Sequence, residues 1–134
     1  MPTHATGTFE VKLAPQPLAN ADAGPLMGRL SINKTFSGDL QGTSKGEMLS
    51  AQTEVKGSAG YVAMECVTGT LQGRSGSFAL QHTGVMNRGA PQLTVTVVPD
   101  SGTGELTGLS GSLSINIEGG KHFYTLDYEL PSGA

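Results

Sequence analysis

Residues 60–86 read GYVAMECVTGTLQGRSGSFALQHTGVM. Two stretches of alternating character flank the turn-forming run Gln72-Gly73-Arg74-Ser75-Gly76, which is the pattern of an antiparallel hairpin. Side chains on a strand switch faces at every residue. In the second arm Phe78, Leu80, His82 and Met86 therefore share one face, and Ser77, Ala79, Gln81 and Thr83 share the other. The apolar face belongs to the core, and it carries His82 inward. In the first arm Tyr61, Ala63, Glu65, Val67 and Leu71 share a parity; Tyr61 and Leu71 mark it as inward, and Glu65 goes with them. With the turn centred near residues 73–75, Glu65 is expected opposite residues near Gly84 and His82 opposite residues near Val67. The two ionisable groups then lie within one diagonal step across the hairpin.

The same alternation recurs along the chain. Phe9, Val11 and Leu13 form one face of a strand over Thr6–Leu13 that Pro15 and Pro17 end. Leu30, Ile32 and Phe36 form another over Met27–Phe36, where Lys34 breaks the apolar parity and is expected to snorkel or to sit near an opening. Leu40–Thr53 reads as a weak strand interrupted by Gly42 and Gly46. A sixth strand runs over Gln92–Val98, and Glu105–Gly111 reads as irregular, packed by Leu106 and Leu109. Ser112–Glu118 and His122–Leu130 form a final hairpin about Gly119-Gly120, the latter strand facing His122, Tyr124, Leu126, Tyr128 and Leu130 inward. Eight strands with one dry face each predict a single all-β domain over residues 1–134. An eight-stranded antiparallel β-barrel buries those faces and removes exposed edges; a two-sheet β-sandwich is the other arrangement that buries them.

Composition agrees. The chain has 134 residues, 20 of them Gly, no Trp and only 14% charged side chains. A formal charge of -3 and the lack of any Lys/Arg cluster exclude a nucleic-acid surface. A single cysteine, Cys66, forbids an internal disulfide and suits a reducing, cytoplasmic setting. No signal peptide or spanning apolar run is present in the sequence, so no membrane association is expected.

Glu65 and His82 are the candidate catalytic pair. A carboxylate in an apolar interior is expected to have a raised pKa, with an adjacent imidazole to share its proton, an arrangement suited to general acid–base work. The bland alternative is a buried, satisfied pair that stiffens the barrel. Tyr61, Tyr124, Tyr128 and Phe78 face the same interior, and His122 sits beside the turn at a barrel mouth; these are the candidate ligand-binding residues. His82, His122, Glu65 and Glu105 lack the spacings of a metal site, so neither metal nor cofactor is expected. Ser101-Gly102-Thr103-Gly104-Glu105 does not match a phosphate-binding loop. Outward-facing Val62, Met64 and Cys66 predict an apolar patch and hence a homo-oligomer, a dimer or trimer.

Several strings are more specific. Gly60–Glu65 with Val67–Leu71, Gly73–Phe78 and Gln81-His82, Val97–Leu106, Gly120–Tyr124 and Phe36–Leu40 together resemble an uncharacterised bacterial domain family whose fold is similar to the allene oxide cyclase barrels. That resemblance implies a small barrel with a largely apolar lumen. Cyclases of this fold close a ring in an unsaturated fatty-acid epoxide with the help of a carboxylate and bound water, and plant members are trimers. In this chain only Glu65 suggests itself as a lumen carboxylate, and it does so by the parity of its strand, not by alignment with the cyclases. The expected function is binding of a small, mostly apolar organic molecule, extended to isomerase or cyclase activity if Glu65 and His82 act as acid and base. A non-catalytic structural or oligomeric module is the alternative.

Overall fold

The structure, a computed structural model, describes residues 3–20, 22 and 26–131. Its strands are β1 (Thr3–Gln16), β2 (Met27–Gly38), β3 (Leu40–Gln52), β4 (Ala59–Leu71), β5 (Arg74–Asn87), β6 (Ala90–Val97), β7 (Ser110–Glu118) and β8 (Lys121–Glu129). Each pairs antiparallel with the next, and β8 returns to β1 from Thr3↔Tyr128 to Phe9↔His122, so the sheet closes. Closure pairs the outermost strands with each other and leaves no open sandwich edge. Among the described residues no helix is long and apolar enough to cross a membrane.

Three local expectations need correcting. First, β1 does not stop at Pro15, which lies opposite Leu30 in the ladder with β2. Pairing with β8 ends at Phe9, so the missing proline N–H sits on an unpaired side and sacrifices no ladder bond. Second, β3 is continuous through Gly42 and Gly46 rather than weak. A Cβ at position 46 would lie 2.7 Å from the Cα and Cβ of Glu65, so glycine is what lets β4 approach there. Third, the central turn is shorter than expected. Leu71 pairs with Arg74, leaving Gln72 (φ 46°) and Gly73 (φ 87°) as a two-residue loop of the type favoured by hairpin twist. Glu65 therefore faces Leu80, and His82 faces Ala63. The shorter loop shifts the register but preserves the diagonal relation of the two ionisable residues.

One end of the barrel is packed solid. Phe36, Leu40, Leu71, Phe78, Tyr124 and Leu126 fill it from the strands. The crossover between β6 and β7 seals it with Leu106, on a short 3-10 turn at Gly104–Leu106, and with Leu109. After β6 ends, this crossover becomes the partner of β5: Val98 N–H donates to Ala79 O (2.9 Å) and Thr103 N–H to Ser77 O (2.8 Å). β6 itself meets β7 at the register pair Thr96↔Ser112.

Tyr124 ties the packed end to the β2–β3 turn. Its hydroxyl accepts from Leu40 N–H and donates to Ser37 O, both at 2.9 Å. Tyr124→Phe would leave a buried backbone N–H without its partner, a loss of about 1–3 kcal/mol. The expected result is a lower urea midpoint at unchanged slope; an unchanged midpoint would show that the hydroxyl contributes nothing to stability.

Candidate functional site

The inward residues change character along the barrel axis. From the packed end toward the other, β2 presents Phe36, Lys34, Ile32 and Leu30; β3 presents Ser44, Gly46, Met48 and Ser50; β4 presents Val67, Glu65, Ala63 and Tyr61; β5 presents Leu80, His82, Gly84 and Met86. A charged layer thus lies between a filled half and an open half.

The layer is built on Glu65, which is 1% exposed. Its Oε2 accepts from His82 Nε2 at 2.6 Å and from Lys34 Nζ at 2.7 Å. Lys34 neither snorkels nor marks an opening: it is 8% exposed, with its ammonium 4.7 Å from the centre of the Phe9 ring. Its parity is that of Ile32 and Phe36, and an inward carboxylate rewards that placement. Burial alone pushes the Glu65 carboxyl up, but the His82 hydrogen bond and the Lys34 charge together outweigh it, and the pKa falls from 4.5 to about 2. The expected raised pKa is therefore reversed. Glu65 is an ionised acceptor, and His82 carries its proton on Nε2 toward it.

Two polar atoms of this layer are buried without a protein hydrogen-bond partner among the described residues: Glu65 Oε1 and Ser44 Oγ. Ser44 pairs with Lys34 on one side and Val67 on the other. It is a diagonal neighbour of Glu65, whose direct partner is Gly46.

Beyond the layer lies a cavity of about 450 Å³ lined by Leu30, Met48, Ser50, Tyr61, Gly84, Met86, Leu93 and their neighbours. Tyr61 is half-buried there. Burial, and then the charge of Glu65, raise its pKa. Its ring lies across Gly84, where a Cβ would come within 2.8 Å of ring atoms.

The other candidate ligand contacts lie elsewhere. Phe78, Tyr124 and Tyr128 belong to the packed end, and the Tyr128 hydroxyl donates to the Gln72 side chain. Parity put them inside correctly; it carries no information on depth along the axis. His122 packs on Phe9 at 5.0 Å, beside a separate recess with Val11 and Gly120. Among the described residues no three His, Cys, Asp or Glu side chains group to hold a metal. On the outside of β3–β5, Leu49, Val62, Met64 and Val85 form an exposed apolar strip, Val62 and Met64 being 52% and 51% exposed. The expected patch is thus present at Val62 and Met64.

Two outcomes follow from the charged layer. Lys34→Met would leave a buried carboxylate with one partner and is expected to lower stability by about 3–5 kcal/mol, whereas replacing Lys34, Glu65 and His82 together by apolar residues should recover most of it. Denaturant titration of both variants measures this. The depressed folded pKa means that the Glu65 contribution is complete above about pH 4.5 and vanishes as pH falls toward 2. Acid unfolding of the parent should therefore steepen in that window relative to the triple variant.

The comparisons with known proteins point to one family. No curated protein matches the chain. A crystal structure of a protein with unknown function from the DUF3224 family of Shewanella oneidensis MR-1 is 51% identical, with a TM-score of 0.93 over 99% of this chain and 100% of that one. The family model described as "Protein of unknown function (DUF3224)" matches residues 5–128, nearly the whole barrel, and the chain therefore belongs to the DUF3224 family.

Proposed function

We propose that this barrel binds a small, mostly apolar organic molecule in its open half. The observation that carries the reading is the cavity of about 450 Å³. It falls in the range of ligand sites, is walled largely by apolar side chains, and has few polar groups converging near its floor. A barrel of this strand number has room to hold one small ligand. The filled end and the crossover close the barrel below the charged layer.

Binding without turnover fits better than acid–base catalysis. With Lys34 and His82 both on Oε2, Glu65 is a weak base and holds no proton to give near neutral pH. An isomerase or cyclase in the manner of allene oxide cyclase barrels would rest on His82 instead, and on fold resemblance alone. The exposed strip at Leu49, Val62, Met64 and Val85 favours a second role, self-association through the outer face of β3–β5.

A neutral apolar fluorophore, N-phenyl-1-naphthylamine, tests the main reading. The parent should show a saturable rise in emission. Met48→Trp, which fills the cavity, should weaken binding by about tenfold or more, and Val62→Ser on the outer strip should leave it unchanged. Loss of binding in Val62→Ser with retention in Met48→Trp would move the site to the outside and end the cavity proposal.

A further inference from the structure

We infer that the cavity selects neutral ligands carrying a hydrogen-bond acceptor, such as a ketone, and that the Tyr61 hydroxyl donates to that acceptor. The inference rests on the cavity reading and deepens it by naming the ligand's polar group and the residue that meets it.

The three tyrosines of the chain differ in what their hydroxyls do. Tyr124 Oη accepts from Leu40 N–H and donates to Ser37 O, and Tyr128 Oη donates to the Gln72 side chain. Both serve the packed end of the barrel. The Tyr61 hydroxyl makes no hydrogen bond to another described residue, and its side chain is half-buried in the wall of the cavity.

Register accounts for the ring but not for the hydroxyl. Tyr61 pairs with Ser50 on β3 and with Gly84 on β5. Gly84 shares the inward parity of Leu80 and His82 and has no side chain to present. The Tyr61 ring takes that place: a Cβ at position 84 would lie 2.8 Å from its Cζ. Cζ bears the hydroxyl, so the oxygen sits one bond beyond an atom that covers Gly84 on the inner face. Leu93, opposite Gly84 on β6, lines the same cavity. A phenylalanine ring would cover Gly84 equally well, so packing gives the hydroxyl no task.

Charge sets the class of ligand. Among the described residues no Asp, Glu, Lys, Arg or His lines the cavity; besides Tyr61 its polar side chains are Ser50, Gln52 and Gln92. An ionised head group would lose its hydration there with no opposite charge to meet it. Lys34 and His82 are already committed to Glu65 in the layer below. Burial, and then the charge of Glu65, keep the Tyr61 phenol protonated. It therefore offers an O–H near neutral pH. A phenol oxygen shares its lone pairs with the ring and accepts weakly, so the matching ligand group is an acceptor. The apolar remainder of the ligand then contacts Leu30, Met48, Met86 and Leu93.

The test competes four compounds of one chain length, 2-octanone, octane, octanoate and octylammonium, against N-phenyl-1-naphthylamine near neutral pH. It uses the parent and Tyr61→Phe, which keeps the ring over Gly84. In the parent 2-octanone should bind about tenfold or more tightly than either ion. Tyr61→Phe should weaken 2-octanone by about three- to tenfold and leave octane unchanged. Infrared difference spectra should place the carbonyl stretch of bound 2-octanone below its position in liquid octane in the parent, and at that position in Tyr61→Phe. If Tyr61→Phe does not fold, the parent spectrum decides: a stretch unshifted from that in octane overturns the assignment. Ketone affinity and stretch indifferent to Tyr61→Phe would overturn it too and give the hydroxyl to water, while the binding of octane and the fluorophore leaves the cavity reading standing. Competition by octanoate or octylammonium as strong as that by 2-octanone would overturn the neutral class. If the fluorophore is indifferent to Met48→Trp, the cavity reading fails, and the Tyr61 assignment fails with it.

Discussion

The ion pair of Glu65 with Lys34 joins strands that are not neighbours. Lys34 projects from β2 and Glu65 from β4, and β3 runs between them. The two side chains meet only because the inner face of β3 is small at that level, with Gly46 opposite Glu65 and Ser44 opposite Lys34. A charge sealed from water is tolerable only when its partners are in place, so this contact constrains three strands together. A slip of one residue in either ladder would turn Lys34 or Glu65 to the outside and leave the other buried without this partner. The polar layer is therefore a register pin, whatever else it does.

The layer also explains why the two halves of the lumen differ. Below it, large side chains from every strand interlock with Leu106 and Leu109 of the crossover. Above it the inward positions are Ile32 on β2, Gly46 and Met48 on β3, Ala63 on β4 and Gly84 on β5, with Leu30 and Tyr61 beyond. A barrel that only needed stability would fill that space, because packing gains rise with every buried methylene. The half beyond the charged layer holds a largely apolar cavity. Membership of a family of unknown function adds the fold and not the chemistry.

Much of this was written in the alternation of single strands. His82 declares itself through Phe78 and Leu80, and Glu65 through Tyr61 and Leu71; both lie inside, in contact. Lys34 obeys the same rule, since Ile32 and Phe36 share its parity, but a lysine read by itself is assumed to seek water. The useful signal was a pair: one inward acid and one inward base on strands two apart. Depth was not legible. Tyr61, Tyr124 and Tyr128 have equal claims by parity, yet where each lies along the axis depends on strand tilt and stagger, which arise from closure of the whole sheet. The turn reads as longer than it is because Arg74-Ser75-Gly76 has loop-like composition, whereas Gln72-Gly73 is sufficient to reverse the chain.

The thin seam between β6 and β7 has a bearing on motion. Where other neighbouring strands share runs of paired residues, these two meet at Thr96↔Ser112, and the crossover has already taken β6's place beside β5. The cylinder is thus a curled ribbon with a latch. Its seven-residue closure, β1 to β8, joins the two ends of the ribbon, and only β7 and β8 lie between it and the latch. Local opening follows the line of fewest cross-strand bonds, so amide protons along this seam are expected to exchange ahead of those in β3, β4 and β5.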